Sequence, residues 1–174
     1  PVVADSKNWE TTKNLYIEGD NLDALKLLQK SYLRKVKMIY IDPPYNTGSD
    51  GFVYKDKRVL DKFPDGTTVP TDHPLRHSYW LSFMHKRLQL AKNLLSDKGL
   101  IFISIDDNEL ANLTLLCHEV FGTNNFINNF MWLHGKGKKD SWSRTLQQYI
   151  VAFAKNKNKQ ICGVLFDFRK NDFC

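Results

Sequence analysis

The stretch VKMIYIDPPYNTGSD, Val36 to Asp50, sets an apolar run directly against an acid, two prolines and an aromatic ring. VKMIYI is apolar nearly throughout, the pattern of a strand buried on both faces of a sheet. The prolines end it, because each lacks a backbone donor and fixes φ. Asp42 and Tyr45 are thereby held on a stiff turn at the strand's carboxyl end. In open α/β sheets that end faces the ligand crevice.

The flanks supply the rest of such a sheet. Upstream, NLYIEGDN reads as a short strand, Leu15 to Glu18, ending at Gly19. LDALKLLQK follows with Leu22, Leu25 and Leu28 at helical spacing, and Asp20 or Asn21 can cap it. Strand, helix, strand in that order is a right-handed parallel crossover. Downstream, Asn46 to about His77 is rich in glycine, proline and polar residues and reads as one long loop, the kind that in compact domains is usually functional. SYWLSFMHKRLQLAKNLLSDKG resumes helical periodicity through Trp80, Phe83, Met84, Leu88, Ala91 and Leu95, with Gly99 as its C-cap. LIFISI, Leu100 to Ile105, is a second buried-type strand. DDNELANLTLLCHEVFG is a helix with Leu110, Leu113, Leu116 or Cys117, and Val120 on one face, closed by Gly122. FINNFMWL and QQYIVAFAK read as two strands joined by a basic loop. The expected architecture is α/β, a mostly parallel sheet with a terminal antiparallel pair. Four or five strands are few for a doubly wound fold.

The chain has 174 residues, 42% of them apolar, which suits one domain with a real core. No apolar run approaches the ~20 residues of a membrane span, and nothing resembles a signal peptide. Cys117, Cys162 and Cys174 form no metal-binding pattern. The plain expectation is a cytoplasmic, reduced protein without a structural metal. The net charge of +6 favours a polyanionic partner. Its clusters, RKVK (Arg34 to Lys37), GKGKK (Gly135 to Lys139) and KNKNK (Lys155 to Lys159), also suit solvated loops.

The turn itself suggests a chemistry. An exocyclic amine on a nucleobase is a poor nucleophile because its lone pair is delocalised into the ring. Acceptors that pull its N–H groups out of conjugation prepare it for an electrophilic methyl group. Asp42 and the Pro43 carbonyl can supply them, and Tyr45 can stack on a base taken out of the helix. The two prolines keep the set rigid, as transition-state positioning requires. A strand-ending turn is the structural alternative.

The surroundings add a family. NLYIEGDNLDALKLL, VKMIYIDPPYNTGSDGFVYKD and LSFMHKRLQLAKNLLSDKGLIFISIDDNE, followed by VFGTNNFINNFMW, closely resemble the modification subunits of type III restriction–modification systems. Those subunits are β-class adenine-specific DNA methyltransferases. The resemblance runs from about Trp9 to Lys157. It implies a Rossmann-like methyltransferase fold, S-adenosyl-L-methionine as cofactor, and methylation of the exocyclic N6 amine of adenine in duplex DNA. It implies that Asp42, Pro43, Pro44 and Tyr45 form the catalytic motif. Gly19 and Asp20 would border the cofactor's adenosine, with Asp42 facing cofactor as well as base. GLIFISIDD and FINNFMWL would frame the base pocket. Implied partners are double-stranded DNA, a restriction subunit and a second modification subunit.

Other residues read more plainly. Asp106 and Asp107 end a strand and could touch ligand, though Asp106 and Glu109 better fit an Asp-x-x-Glu capping box opening a helix. Trp80, Phe83 and Met84 read as core. His77 and His85 stand without a paired nucleophile and receive no role. The Gly-rich NTGSDGFVYKD suits a segment that closes over substrate.

One family element is missing from this sequence. The Phe-x-Gly-x-Gly turn that receives the cofactor's methionine end does not occur; Gly135-Lys136-Gly137 reads as a loop between strands. In the β class that glycine motif follows the catalytic half and the target-recognition region. The expectation is a single, partial catalytic domain over 1–174, without those two parts and with an exposed strand edge. The expected explanation is a truncated gene product. The alternative function is an inactive fragment with DNA- or partner-binding capacity alone; amino methylation of RNA adenine, cytosine or protein glutamine ranks lower.

Overall fold

The computed structural model describes residues 2–47, 62–70, 73–139 and 144–159, with only the backbone of 134–139 and 144–146. Helix α1 (Asn21–Tyr32) opens at Asp20, whose carboxylate accepts from the amides of Leu22 at 2.8 Å and Asp23 at 3.1 Å. Two of the amides a helix start leaves orphaned are thus satisfied. Strand β1 (Val36–Ile41) follows. Helix α2 (Pro74–Leu94) starts with proline, whose missing N–H is no loss there, behind His73, whose Nδ1 accepts from Leu75. Strand β2 (Leu95–Ile105) leads into α3 (Leu110–Phe121), closed by Gly122 at φ 92°. Strands β3 (Phe126–Lys139) and β4 (Arg144–Ala154) complete the order.

The sheet runs β1-β2-β4-β3. β1 and β2 are parallel, with Ile39 opposite Ile101 and Ile41 opposite Ile103. β4 is antiparallel to both β2 and β3. The α/β sheet with a terminal antiparallel pair is therefore present, its parallel part among the described residues being β1–β2. One face carries the core. Ile101, Ile103, Ile105, Val151 and Phe153 pack against Trp80, Met84 and Leu88 of α2 and Leu113, Cys117 and Phe121 of α3. The apolar stripes read from the sequence in both helices are the ones buried, Phe83 being half-buried beside them.

Four expectations need correction. Leu15–Glu18 forms no strand. The segment is exposed, Tyr16 at 90%, because no described strand lies beside β1 for it to pair with. β1 is buried on one face only: Ile39 and Ile41 join the core, while Met38 and Tyr40 are 61% and 56% exposed. α2 and α3 lie on the same side of the sheet, and α1 packs along α2. Gly99 is not a helix cap. α2 ends at Leu94 and the chain passes straight into β2, where the four residues 96–99 stand against the single Lys37 of β1. A Cβ at Gly99 would stand 2.9 Å from Leu95 Cδ2 and from the Ser96 carbonyl, so the excursion requires glycine for space. Gly135–Gly137 lies within β3, not in a loop, because the β3–β4 ladder extends to Lys139 opposite Arg144.

The long loop is shorter at its end than expected, since α2 begins at Pro74. Within it, Lys62 bridges Thr68 around a turn held by Asp65, and Val69 is buried. Most of NTGSDGFVYKD, from residue 48 onward, lies outside the described residues, as does the carboxyl segment from 160. No helix among the described residues is long and apolar enough to cross a membrane.

Candidate active site at the carboxyl end of β1

The turn after β1 is gripped from two helices. Asp42 is exposed, Pro43, Pro44 and Tyr45 are half-buried, and Asn46 is buried. The Trp80 indole N–H donates to the Pro44 carbonyl at 2.7 Å. Asn46 takes the left-handed backbone conformation, φ 60°, which asparagine tolerates better than most side chains. Its Nδ2 donates to Glu109 Oε1 at 2.6 Å. That oxygen also stands 2.7 Å from His77 Nδ1, and Glu109 Oε2 accepts from Asn112 Nδ2 at 2.8 Å. Glu109 is fully buried. Its carboxylate makes no cap bond to its own helix.

That corrects the expected capping box. Asp106 accepts instead from the Asn108 amide and side chain, shaping the turn before α3. Glu109 turns inward because the Asn46 and Asn112 amides donate to it and the His77 ring nitrogen lies 2.7 Å away, and a buried carboxylate needs such partners. His77, which the sequence left without a role, is one of them. Trp80 is core, as read, yet its polar edge holds the turn. Asn46, His77, Glu109 and Asn112 form one cluster that sequence reasoning missed. Glu109 carried a signal, but its spacing from Asp106 imitated a cap.

The electrostatics at this end of the sheet are acidic. Burial, and then a hydrogen bond to the Asp42 carboxylate, hold the Tyr45 phenol well above its ordinary range; the charges of Asp42, Tyr40 and Asp106 act the same way. Tyr45 is therefore a neutral donor at physiological pH. Across the sheet, Tyr149 stands opposite Ile105, and a hydrogen bond to Asp107 raises its phenol. A carboxylate accepts at about four lone-pair sites, so Asp42 can keep Tyr45 and still receive another donor.

A groove between α2 and α3, lined by Leu81, Ser82, His85, Asn112, Leu115, Leu116 and Glu119, has a volume of about 380 Å³. None of residues 42–47 lines it, so it is separate from the turn. His85 lies there, 3.8 Å from Glu119.

Residues 36–172 match the family described as DNA methylase, which covers N6 and N4 amino-methyltransferases. The chain belongs to that DNA methylase family. It is 48% identical over 166 residues to the Mod subunit of the type III restriction–modification enzyme StyLTI of Salmonella typhimurium, covering 88% of this chain and 25% of that protein. It is 39% identical over 165 residues to the EcoP15I Mod subunit of Escherichia coli, covering 87% and 26%. The methylase chain thus spans about a quarter of the length of these relatives. Among solved structures, a DNA modification methylase of Thermus thermophilus complexed with S-adenosyl-L-methionine superposes with a TM-score of 0.51 at 16% identity, covering 76% of this chain and 51% of that one. The cytosine-N4-specific PvuII DNA methyltransferase gives 0.52 at 13% identity, covering 81% and 48%. These two share the fold.

Within the methylase fold, Asp42, Pro43, Pro44 and Tyr45 stand together on one turn, as the sequence places them. Gly19 has φ 144° and Asp20 caps α1. The neighbouring Asn21 accepts from Arg87 at 2.7 Å. Arg87 lies seven residues beyond Trp80 on α2, roughly 10 Å along the helix. The start of α1, next to Gly19 and Asp20, thus meets α2 at Arg87, well beyond Trp80, which holds the Asp42 turn.

Proposed function

We propose that this chain is the base-holding part of an adenine-N6 DNA methyltransferase of the type III modification kind. The single observation that carries this reading is the rigid turn, with an exposed Asp42 carboxylate beside a half-buried neutral Tyr45. A target adenine taken out of the helix brings an amine needing acceptors and a ring needing a flat surface. Asp42 and the Pro43 carbonyl receive the two N–H groups. Tyr45 offers the stacking face. Trp80 already occupies the Pro44 carbonyl, which leaves Pro43 as the backbone acceptor in this scheme.

S-adenosyl-L-methionine is the methyl donor in this reading. The residues present fit it only in part. Asp42, with Gly19 and Asp20 farther along, can border it. The glycine-rich turn for its methionine end has no counterpart in the sequence. The part these residues play is to hold and orient the amine. Duplex DNA, a restriction subunit and a second modification subunit are the partners this reading assigns. The net charge of +6 suits the first.

The test grafts residues 9–157 onto the matching part of the StyLTI Mod subunit and follows labelled methyl transfer to duplex DNA. N6-methyladenine in the digested product is the expected outcome. Asp42→Ala in the same graft abolishes it, a loss of at least about 10³-fold if positioning and electrostatics both act there. Full transfer by that variant sinks the assignment.

A further inference from the structure

We propose that Glu109 is a positioning residue for this site: it clamps the catalytic turn through Asn46, while His77 and Asn112 hold its carboxylate in place. The inference rests on the adenine-methylating reading only for its consequence in catalysis. The clamp itself stands on geometry.

A fold has no need of a carboxylate here. Glu109 is 0% exposed at the mouth of α3, and the contacts of its carboxylate are Asn46, His77 and Asn112. Any apolar residue of similar volume would fill the space without desolvating a charge. The helix start favours an anion, yet the side chain ignores the amides of its own first turn and reaches the residue just after Tyr45. Asn46 lies 63 positions away in sequence and takes a left-handed backbone to meet it. His77, three residues before Trp80 on α2, lies on the same helical face as the donor to Pro44. One helix face thus holds the turn at Pro44 directly and at Asn46 through Glu109. Between these two fixed points sits Tyr45, whose phenol is bonded to Asp42. The arrangement fixes both functional side chains from behind and leaves the exposed side of Asp42 open.

The Trp80 indole N–H reports on the clamp. It is the donor to Pro44, and Trp80 is 1% exposed, so its exchange with solvent requires the turn to move. In the ¹⁵N-labelled 174-residue chain, Glu109→Ala is expected to accelerate that exchange at least about tenfold, since the lost bonds are charge-assisted. The amides of Ile101–Ile105 and Val151–Phe153 keep their rates. Glu109→Gln, which still offers Asn46 an acceptor, restores most of the protection. If Glu109→Ala fails to fold, Asn46→Gly removes the link from the turn side without backbone strain and is expected to give the same local acceleration. An unchanged indole rate overturns the clamp. So does uniform acceleration of all slow amides, which would make Glu109 an ordinary fold residue. In the StyLTI graft the clamp predicts at least about a tenfold lower kcat with unchanged DNA affinity. Full transfer by Asp42→Ala would overturn the adenine reading and leave the exchange result standing; an unchanged indole rate with a dead Asp42→Ala would do the reverse.

Discussion

At the scale of single residues, Asp42 and Tyr45 divide the work at the turn. The phenol is neutral and donates to the carboxylate, so under the proposed function the pair is already set when a base enters. Tyr45→Phe keeps the ring and deletes the donor. In the StyLTI graft it is expected to weaken binding of a DNA duplex with 2-aminopurine at the target position by only a few-fold, since the carboxylate is exposed and water can replace the donor. Tyr45→Ala removes the stacking face and is expected to weaken it by one to three kcal/mol, about five- to 150-fold. Equal effects from the two would mean that the hydrogen bond, and not the ring, carries recognition. The prolines, the acid and the tyrosine were all legible in the sequence because each acts through local backbone chemistry. Glu109 was not. Its role depends on Asn46 and His77, which reach it only once α2 has folded across the sheet.

At the scale of elements, the helices were legible and the edges were not. The apolar periodicity of α2 and α3 is decided by burial against one sheet face, and the buried residues are those the spacing selects. Strands follow a different logic, because a strand exists only where a partner accepts its hydrogen bonds. Leu15–Glu18 has the composition and lacks the partner. Gly99 was read as a cap because glycine after a helix usually is one. Its Cβ clearance shows a packing reason instead. Gly99→Ala is expected to destabilise the protein by about 1–3 kcal/mol through overpacking against backbone, read as a lower urea midpoint. No change would mean that the 95–99 excursion shifts freely. Cys117 on α3 adds a pH dependence. Burial pushes its thiol from an ordinary 9.0 up to about 12. The folded protein holds that proton longer than the unfolded chain does. The associated stability is therefore complete below pH 9 and falls as pH rises toward 12. Cys117→Ala is expected to lower stability at pH 8 and to flatten its decline between pH 9 and 11. An equally steep decline in the variant would assign the alkaline loss to other groups, Tyr45 among them.

At the scale of the whole molecule, the described helices pack on one side of the sheet, and on the other side Met38 and Tyr40 of β1 are largely exposed. Met38 and Tyr40 point away from the core, Tyr40 bonding sideways to Ser104 at 2.5 Å, and no described strand pairs with the outer edge of β1. Leu15, Tyr16 and Ile17 are exposed as well. An open strand edge beside exposed apolar side chains is a template for association. Charge along a strand edge blunts such association. Met38→Lys places one such charge on the bare face of β1. Because Met38 is largely exposed, its replacement should change folding stability by no more than about 0.5 kcal/mol. The same variant is expected to lower concentration-dependent self-association, measured by sedimentation velocity across a protein dilution series. If it leaves association unaltered while Tm holds, the bare face of β1 is not what joins the molecules, and the exposed Leu15–Ile17 segment becomes the surface to change next.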